Sequence, residues 1–330
     1  MPPRTARPRT TAFTPVLRLD PKEIAVLPFL LLLAVLGVLR PAAVAHPDAR
    51  SGLVAAALLL AVWGAGALRC PVWHETAYEG GCRWTRSARD LIALALCLGL
   101  YPQLRWAVPM LHPAHYDAQL AYADRWLFAG HDPVPMLAPL VHPALTAVLG
   151  LAYSCAWLPP LALGLHLFLR RRERALSDLL LGLILVHCAG FLCYFLLPAA
   201  GPRFGLAGHF ATPLNTWWTA RYMAHNINVD AFPSLHIAGT TVAACFLWRD
   251  TRPSFWLHSP LLLAIGASTL YLRWHYAVDV LAGLLLAAAG CYVAPRLNGA
   301  WERARSRQDA NTKRRRSDET VSQRLSSGFD

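Results

Sequence analysis

Long apolar stretches, separated by short polar segments, run through most of the chain. We assign eight candidate membrane spans, at approximately 24–45, 52–68, 89–109, 143–169, 175–197, 235–248, 256–272 and 276–294. Several of them reach the roughly 20 residues that a helix needs to cross a bilayer. Because the bilayer interior offers no water to backbone groups, such stretches fold as helices. The pattern therefore predicts an all-α, polytopic bundle of about eight transmembrane helices.

The distribution of charge gives this bundle an orientation. The chain has 330 residues, of which 55% are hydrophobic and only 15% charged, and its net charge is +12. With both termini cytoplasmic, only seven of the 31 Lys and Arg residues fall on outer segments. Since basic residues collect on cytoplasmic loops, we predict an integral protein of the plasma membrane with both termini inside. We expect the basic stretch 313–316 to meet solvent or anionic lipid, and we expect no nucleic-acid partner.

Two longer segments lie on the predicted outer side. The first, 112–142, carries apolar and aromatic residues at helical spacing over 123–133, which predicts a short interfacial helix ended by Gly130 and Pro133. The second, 198–233, joins the fifth and sixth spans. The loops that follow are short, so the sixth to eighth spans form an antiparallel group. This arrangement places 202–203, 234–236 and 275–279 at the same membrane face.

His275 and Asp279 form the strongest candidate pair for chemistry. Their spacing of four predicts that they share one helix face, with Cβ atoms roughly 5–6 Å apart. A carboxylate there accepts a hydrogen bond from one imidazole nitrogen and leaves the lone pair of the other directed outward, as a nucleophile requires. Two simpler interpretations of Asp279 stay open, namely an ion pair with Arg273 and a helix cap.

His236 follows Pro233 and Ser234 at the start of the sixth span. Backbone N–H groups at such a helix start favour an anion, and the Ser234 hydroxyl adds a donor. There His236 is suited to protonate a departing alkoxide. Arg203 and Arg273 are the nearest guanidinium groups for phosphate oxygens, although Arg203 also fits an ordinary interfacial anchor.

Other polar residues receive weaker interpretations. His166 and His187 lie inside predicted spans, where we expect interhelical hydrogen bonds. Four residues of the outer segment are candidates to contact a polyol headgroup, although solvated loop residues are the more ordinary interpretation: Arg221, Asn226, Asn228 and Asp230.

These motifs resemble the type 2 phosphatidic acid phosphatase superfamily. The stretch 233–236, Pro-Ser-Leu-His, matches the family's Pro-Ser-x-His motif. In the second motif Ser268, Tyr271, His275 and Asp279 match in spacing, whereas Thr269 stands where the family has arginine. The family's upstream Lys-x6-Arg-Pro motif is absent. These departures look more like the branch of inositol phosphorylceramide synthases and related inositol phosphotransferases.

The resemblance covers roughly residues 90–295 and implies the organisation of the chain. We expect a disordered basic segment at 1–22, two accessory spans at 23–88, a catalytic membrane domain with a six-helix core at 89–295, and a disordered basic cytoplasmic tail at 296–330. The active site would face the extracytoplasmic side.

The resemblance also implies site residues and an activity. His275 would be the nucleophile, Asp279 its orienting partner and His236 the acid and base. The expected substrate-binding residues are Arg203, Ser234, Tyr271 and Arg273. No metal and no cofactor are implied. The expected activity is transfer of a phosphoryl group from a membrane lipid phosphoester to an alcohol or water. A lipid-phosphate or polyprenyl-diphosphate phosphatase and a non-catalytic lipid transporter remain alternatives.

Overall fold

The structure is a computed structural model that describes residues 19–39, 83–210 and 227–326, together with positions 57, 61 and 214. Within these residues the chain is helical and contains no strand, only an isolated bridge between Ala199 and Asp230. Its helices longer than one turn are α1 (Pro21–Leu39), α2 (Arg83–Leu100), α3 (Leu104–Leu111), α4 (Asp117–Leu127), α5 (Pro143–Ser154), α6 (Leu158–Leu169), α7 (Glu173–Leu196), α8 (Leu235–Asp250), α9 (Arg252–Tyr271) and α10 (Ala277–Ser326). One-turn helices lie at Tyr101–Gln103, Pro133–Met136, Ala138–Leu140, Pro202–Gly205 and Ala207–His209.

Five described segments are long and apolar enough to cross a membrane: Pro21–Leu39, Ser87–Leu111, Pro143–Leu169, Glu173–Leu196 and Ala277–Gln308. The prediction of an all-α membrane bundle is therefore confirmed, whereas the count of eight spans is not. Helices α8 and α9 occupy the predicted sixth and seventh spans without meeting the same criteria of length and apolarity. The predicted span at 52–68 lies outside the described ranges, as do residues 1–18.

Two predicted spans are interrupted by turns that the hydrophobic pattern does not reveal. The stretch 143–169 contains two helices, with a turn at 155–157 between them. Pro159 and Pro160 lie in the first turn of α6, where their missing N–H groups leave no helical bond unmade. Pro102 similarly lies in the 3₁₀ turn between α2 and α3.

The C-terminal segment differs from the sequence prediction. We expected residues 296–330 to be disordered, but α10 continues without a break to Ser326. Residues 296–326 include eight Arg, and Arg has high helix propensity. Arg174 on α7 also donates to Glu302, which ties the first turns beyond the apolar part of α10 to the bundle.

Helix α7 forms the centre of the bundle and packs against α1, α2, α6, α8 and α10. Its interior positions are fully buried along most of its length. Glycines allow the neighbouring helices to come close. A Cβ added to Gly283 of α10 would lie 2.6 Å from the Ser234 carbonyl oxygen, at the start of α8. The ends of α8 and α10 therefore meet through direct backbone contact.

A charged network closes the opposite end of the bundle. Lys22 of α1 is 1% exposed, and its Nζ lies 2.9 Å from Asp20 Oδ1 and 3.2 Å from Asp90 Oδ1. It also donates to Ser177 Oγ of α7 at 3.0 Å. Nearby, Arg89 of α2 pairs with Glu23 at 2.5 Å. These contacts fasten the N-terminal helix to the core of the bundle.

Lys22→Met is expected to lower the free energy of unfolding by about 3 kcal/mol, because it leaves buried carboxylates without their cation. Thermal unfolding in detergent measures this loss. Arg296→Met is the control, since Arg296 is exposed and donates only to a backbone carbonyl of its own helix. An equal melting temperature for the Lys22→Met protein and the unaltered chain would show that the network does not stabilise the fold.

Candidate active site

Three segments meet at the end of the bundle where α8 and α10 begin, as the sequence analysis expected. Arg203 N donates to the Arg273 carbonyl at 3.0 Å, and Ser234 N donates to the Asp279 carbonyl at 3.1 Å. Ala231 N donates to Ala199 O at 3.0 Å, which joins the loop before α8 to the end of α7. The three motifs are thus held together by backbone hydrogen bonds rather than by side chains alone.

A glycine turn sets the position of Arg203. Gly201 has φ +93°, and a Cβ at this position would lie 2.3 Å from the Trp274 carbonyl oxygen, so only glycine fits. The N–H groups of Ala200 and Gly201 donate to the two carboxylate oxygens of Asp117, at 3.0 and 2.8 Å. Asp117, at the start of α4, therefore shapes this turn. Sequence reasoning did not identify it.

Helix α4 also holds the start of α10. The short helix expected over 123–133 lies earlier in the chain, at Asp117–Leu127, and it is followed by positive φ at Ala129 and Gly130. Asp124 is 1% exposed and accepts hydrogen bonds from Ala277 N at 2.9 Å and Val278 N at 2.8 Å. It acts as an N-cap supplied from another helix. The spacing of seven between Asp117 and Asp124, which places both on one helix face, is the signal that could have revealed this role.

His275 lies two residues before α10, so the prediction that it shares a helix face with Asp279 is wrong. Its Nδ1 is 2.8 Å from the Ala231 carbonyl oxygen and 3.6 Å from Asp279 Oδ2. A carbonyl only accepts, so Nδ1 carries the hydrogen and the lone pair of the neutral ring is on Nε2. The tautomer is thus set mainly by Ala231, while Asp279 supplies a nearby negative charge.

Asp279 acts as a helix cap and also lies beside His275, which are two of the roles that the sequence left open. Its Oδ2 accepts from Tyr276 N at 2.7 Å, which caps the start of α10. Its side chain is 0% exposed, and Oδ1 has no hydrogen-bond partner among the described residues. The carboxylate therefore lies buried beside the imidazole of His275, where it can balance a positive charge on that ring.

His236 lies in the first turn of α8 and faces His275. The two ring centroids are 6.1 Å apart. Tyr153 of α5 stacks on His236 at 4.1 Å and its hydroxyl is 3.3 Å from His236 Nδ1, which fixes the orientation of the ring. Tyr153 is a further site residue that sequence reasoning missed, because nothing near it in the chain marks it.

Ser234 and Tyr271 have structural contacts instead of the expected exposure to substrate. Ser234 is fully buried, and its Oγ accepts from Ile237 N at 3.4 Å as the N-cap of α8. The Tyr271 hydroxyl lies 2.9 Å from Thr146 Oγ1 and accepts from His142 N at 3.1 Å. Both side chains lie outside the lining of the cavity that holds the histidines.

Neither of the two arginine side chains lines that cavity, although Arg203 lies against Trp274, which does. The Arg203 guanidinium is 5.2 Å from the Trp274 ring centroid, and that of Arg273 is 4.0 Å from the Phe210 ring. Burial lowers the pKa of both groups, and the charge of Arg203 lowers that of Arg273 further. Arg203 Nη1 is buried without a hydrogen-bond partner in the described part of the chain. A desolvated donor of this kind suits an anionic ligand.

The cavity that holds the two histidines has a volume of about 530 Å³. His236, His275 and Asp230 line it at one end, whereas its other wall is largely apolar and includes Trp157 and Leu161 at the junction of α5 and α6.

Two of the four polyol candidates, Asn228 and Asp230, lie in the described residues, and of these two Asp230 lines the cavity. It accepts a hydrogen bond from the Tyr101 hydroxyl, and burial raises the pKa of its carboxyl group. Asn228 is exposed, while Arg221 and Asn226 lie outside the described residues.

Interhelical hydrogen bonds were predicted for His166 and His187, and the structure shows such a contact for His166 only. His166 of α6 makes it, since its Nε2 lies 3.4 Å from Asp250 Oδ2 at the end of α8. His187 of α7 does not, because its Nδ1 contacts the Leu183 carbonyl of the same helix.

Comparison with known proteins places these observations in a family. A family profile described as the PAP2 superfamily matches residues 118–293, which is more than half of the chain. The phosphoinositol dihydroceramide synthase of Bacteroides thetaiotaomicron is 29% identical over 161 residues, which is 43% of this chain and 52% of that protein. The chain thus spans about half the length of this curated relative. No solved structure gives a significant match.

Proposed function

Because the chain belongs to the PAP2 superfamily, we propose that this integral membrane protein is a lipid phosphotransferase that carries a headgroup phosphate from one lipid to the hydroxyl of another. The observation that carries the proposal is the pair of histidines at one end of the cavity. The Nε2 lone pair of His275 is left free by the Ala231 carbonyl, and the His236 ring lies 6.1 Å away. The bacterial relative is a phosphoinositol dihydroceramide synthase, which supports inositol phosphate as the transferred group.

The first half-reaction would exchange one bond to phosphorus for another. A bond forms between His275 Nε2 and the phosphorus atom of the donor lipid, and the bond from phosphorus to the oxygen of the lipid alcohol breaks. His236 in its protonated form gives a proton to that departing oxygen. The headgroup phosphate is then attached to His275, whose positive ring lies beside the carboxylate of Asp279.

The second half-reaction reverses these steps with a new alcohol. His236 takes the proton from the acceptor hydroxyl, the acceptor oxygen bonds to phosphorus, and the bond to His275 breaks. Water in the same position would give hydrolysis. Arg203 would hold the phosphate oxygens through its unpaired Nη1. The half-buried carboxyl group of Asp230 would accept hydrogen bonds from a polyol headgroup.

The distribution of charge in the sequence supports an orientation with both termini inside and the site on the extracytoplasmic side, and we propose the plasma membrane as the location. The donor would then enter from the outer leaflet.

Purified protein in detergent, supplied with phosphorus-labelled phosphatidylinositol with and without dihydroceramide, tests the proposed function. The expected result is a new labelled lipid that forms only when the acceptor is present. A parallel reaction contains labelled phosphatidate. Release of water-soluble label alone would favour a phosphatase. If neither product forms with any donor, the catalytic proposal is overturned in favour of a non-catalytic lipid-binding role.

A further inference from the structure

His187 is a buried histidine that lines the same cavity and has no part in the steps above. It lies in the middle of α7, is 2% exposed and stacks on Trp157 with ring centroids 5.2 Å apart. Its Nε2 atom has no hydrogen-bond partner within the described ranges. Buried polar atoms are almost always hydrogen-bonded in folded proteins, so this unpaired atom on the wall of a cavity is available to a ligand group.

The partner of the other ring nitrogen defines what that ligand group must be. Nδ1 lies 2.7 Å from the Leu183 carbonyl oxygen, one turn earlier on α7. Because a carbonyl oxygen only accepts, Nδ1 carries the hydrogen, and in the neutral ring Nε2 is an acceptor. The matching ligand group is therefore a donor, either a hydroxyl or an amide N–H. An ester carbonyl cannot fill this position.

The depth of His187 along the helices places that donor within the lipid. A Cβ added to Gly239 would lie 3.6 Å from His187 Cε1. Gly239 follows His236 by three residues on α8, which is about 4.5 Å along a helix axis. His187 thus lies about one helical turn further into the bundle than His236, the histidine proposed to exchange a proton with the reacting hydroxyl. The neighbouring wall, with Leu161 58% exposed on the outer side of α6, is suited to acyl chains.

We propose that His187 determines acceptor specificity, by accepting a hydrogen bond from a second hydroxyl or amide N–H about one helical turn below the reacting oxygen of the lipid alcohol. This inference rests on the proposed function and narrows its acceptor class. Lipid alcohols with an amide or hydroxyl beside the reacting carbon fit the site. Diacylglycerols offer only ester carbonyls there and leave Nε2 without a partner, which weakens their binding.

The test compares two acceptors, N-acylsphinganine (dihydroceramide) and diacylglycerol. Each is supplied to the unaltered protein, to His187→Phe and to His187→Gln. Phenylalanine keeps the ring but removes the acceptor atom, whereas glutamine restores a side-chain oxygen that accepts. We expect His187→Phe to lower kcat/KM for N-acylsphinganine by about tenfold to a hundredfold, mostly through KM, with little change for diacylglycerol. His187→Gln is expected to recover part of the preference for N-acylsphinganine over diacylglycerol. In both His187 variants, attachment of the headgroup phosphate to His275 from the donor lipid without acceptor should not change.

His258→Phe is the matched control. His258 Nδ1 lies 2.7 Å from the Ser254 carbonyl, which is the same local geometry on α9, but its ring does not line the cavity. The inference would be overturned if the ratio of kcat/KM for the two acceptors were the same in His187→Phe and in the unaltered protein. It would also be overturned if His187→Phe lowered kcat/KM equally for both acceptors. If His187→Phe does not fold, His187→Met provides the same comparison.

Direct binding of the two acceptors, measured by microscale thermophoresis in detergent, separates this inference from the proposed function. If the protein transfers nothing but binds N-acylsphinganine at least tenfold more tightly than diacylglycerol, and His187→Phe abolishes that difference, the recognition inference stands while the catalytic proposal fails. Equal binding of both lipids would overturn the inference.

Discussion

His275→Asn is expected to lower the rate of headgroup transfer by on the order of 10⁴-fold while the protein remains folded. The substitution removes Nε2, the atom proposed to bond to phosphorus. The asparagine amide keeps an N–H donor for the Ala231 carbonyl, which His275 contacts at 2.8 Å. The measurement is the initial rate of labelled product formation at saturating donor, with thermal unfolding in detergent to verify the fold.

His258→Asn serves as the control for this prediction. It makes the same chemical change on α9 at a histidine that does not line the cavity, and its rate should stay within about twofold of the unaltered protein. A His275→Asn protein that retains more than a tenth of the activity would show that another residue attacks phosphorus.

Asp279→Asn is expected to lower the transfer rate by on the order of 10²–10⁴-fold, which is the range typical of groups that assist proton transfer and charge balance. Asparagine keeps an oxygen that accepts from Tyr276 N, so the cap of α10 is preserved. What is lost is the negative charge 3.6 Å from His275 Nδ1, which would balance the positive ring after attack. The measurement is kcat in the transfer assay, together with the melting temperature.

Asp124→Asn distinguishes charge balance from helix capping. Asp124 caps the same end of α10 through Ala277 and Val278 but bonds to neither ring nitrogen of His275. We expect this variant to lose about 1 kcal/mol of stability and less than tenfold in rate. If both aspartate variants lose equal activity, Asp279 acts through the fold of α10 and not through its charge.

The gathering of the catalytic motifs was predictable because it follows from topology. Short loops between the last three apolar stretches force the starts of α8 and α10 to one end of the bundle, and the segment around Arg203 reaches that end from α7. The orientation of His275 was not predictable in the same way. Its tautomer depends on the carbonyl of Ala231, which lies 44 positions earlier in the chain.

The start of α10 shows why spacing alone misplaced His275. A spacing of four suggested one continuous helix through His275 and Asp279, but α10 begins at Ala277. The helix begins there because Asp124 accepts from its first two N–H groups, and Asp124 lies more than 150 positions away. Local pattern carries no information about a cap supplied by a distant helix.

Cavity residues were missed for a related reason. Tyr101 and Tyr153 look like ordinary aromatic residues of apolar stretches. Only the tertiary fold brings the turn after α2 to Asp230, and α5, which packs against α9, to His236. The turn at 155–157 lies beside the apolar wall of the cavity, and a hydropathy pattern treats it as part of one span.

Covalent attachment of the headgroup phosphate to His275 would be visible in peptide mapping by mass spectrometry. The unaltered protein would be mixed with labelled phosphatidylinositol without acceptor, quenched at alkaline pH to preserve the nitrogen–phosphorus bond, and digested. We expect one labelled peptide with the added mass on His275, and none in His275→Asn. Label on any other residue, or turnover with no attached phosphate in the same samples, would contradict it.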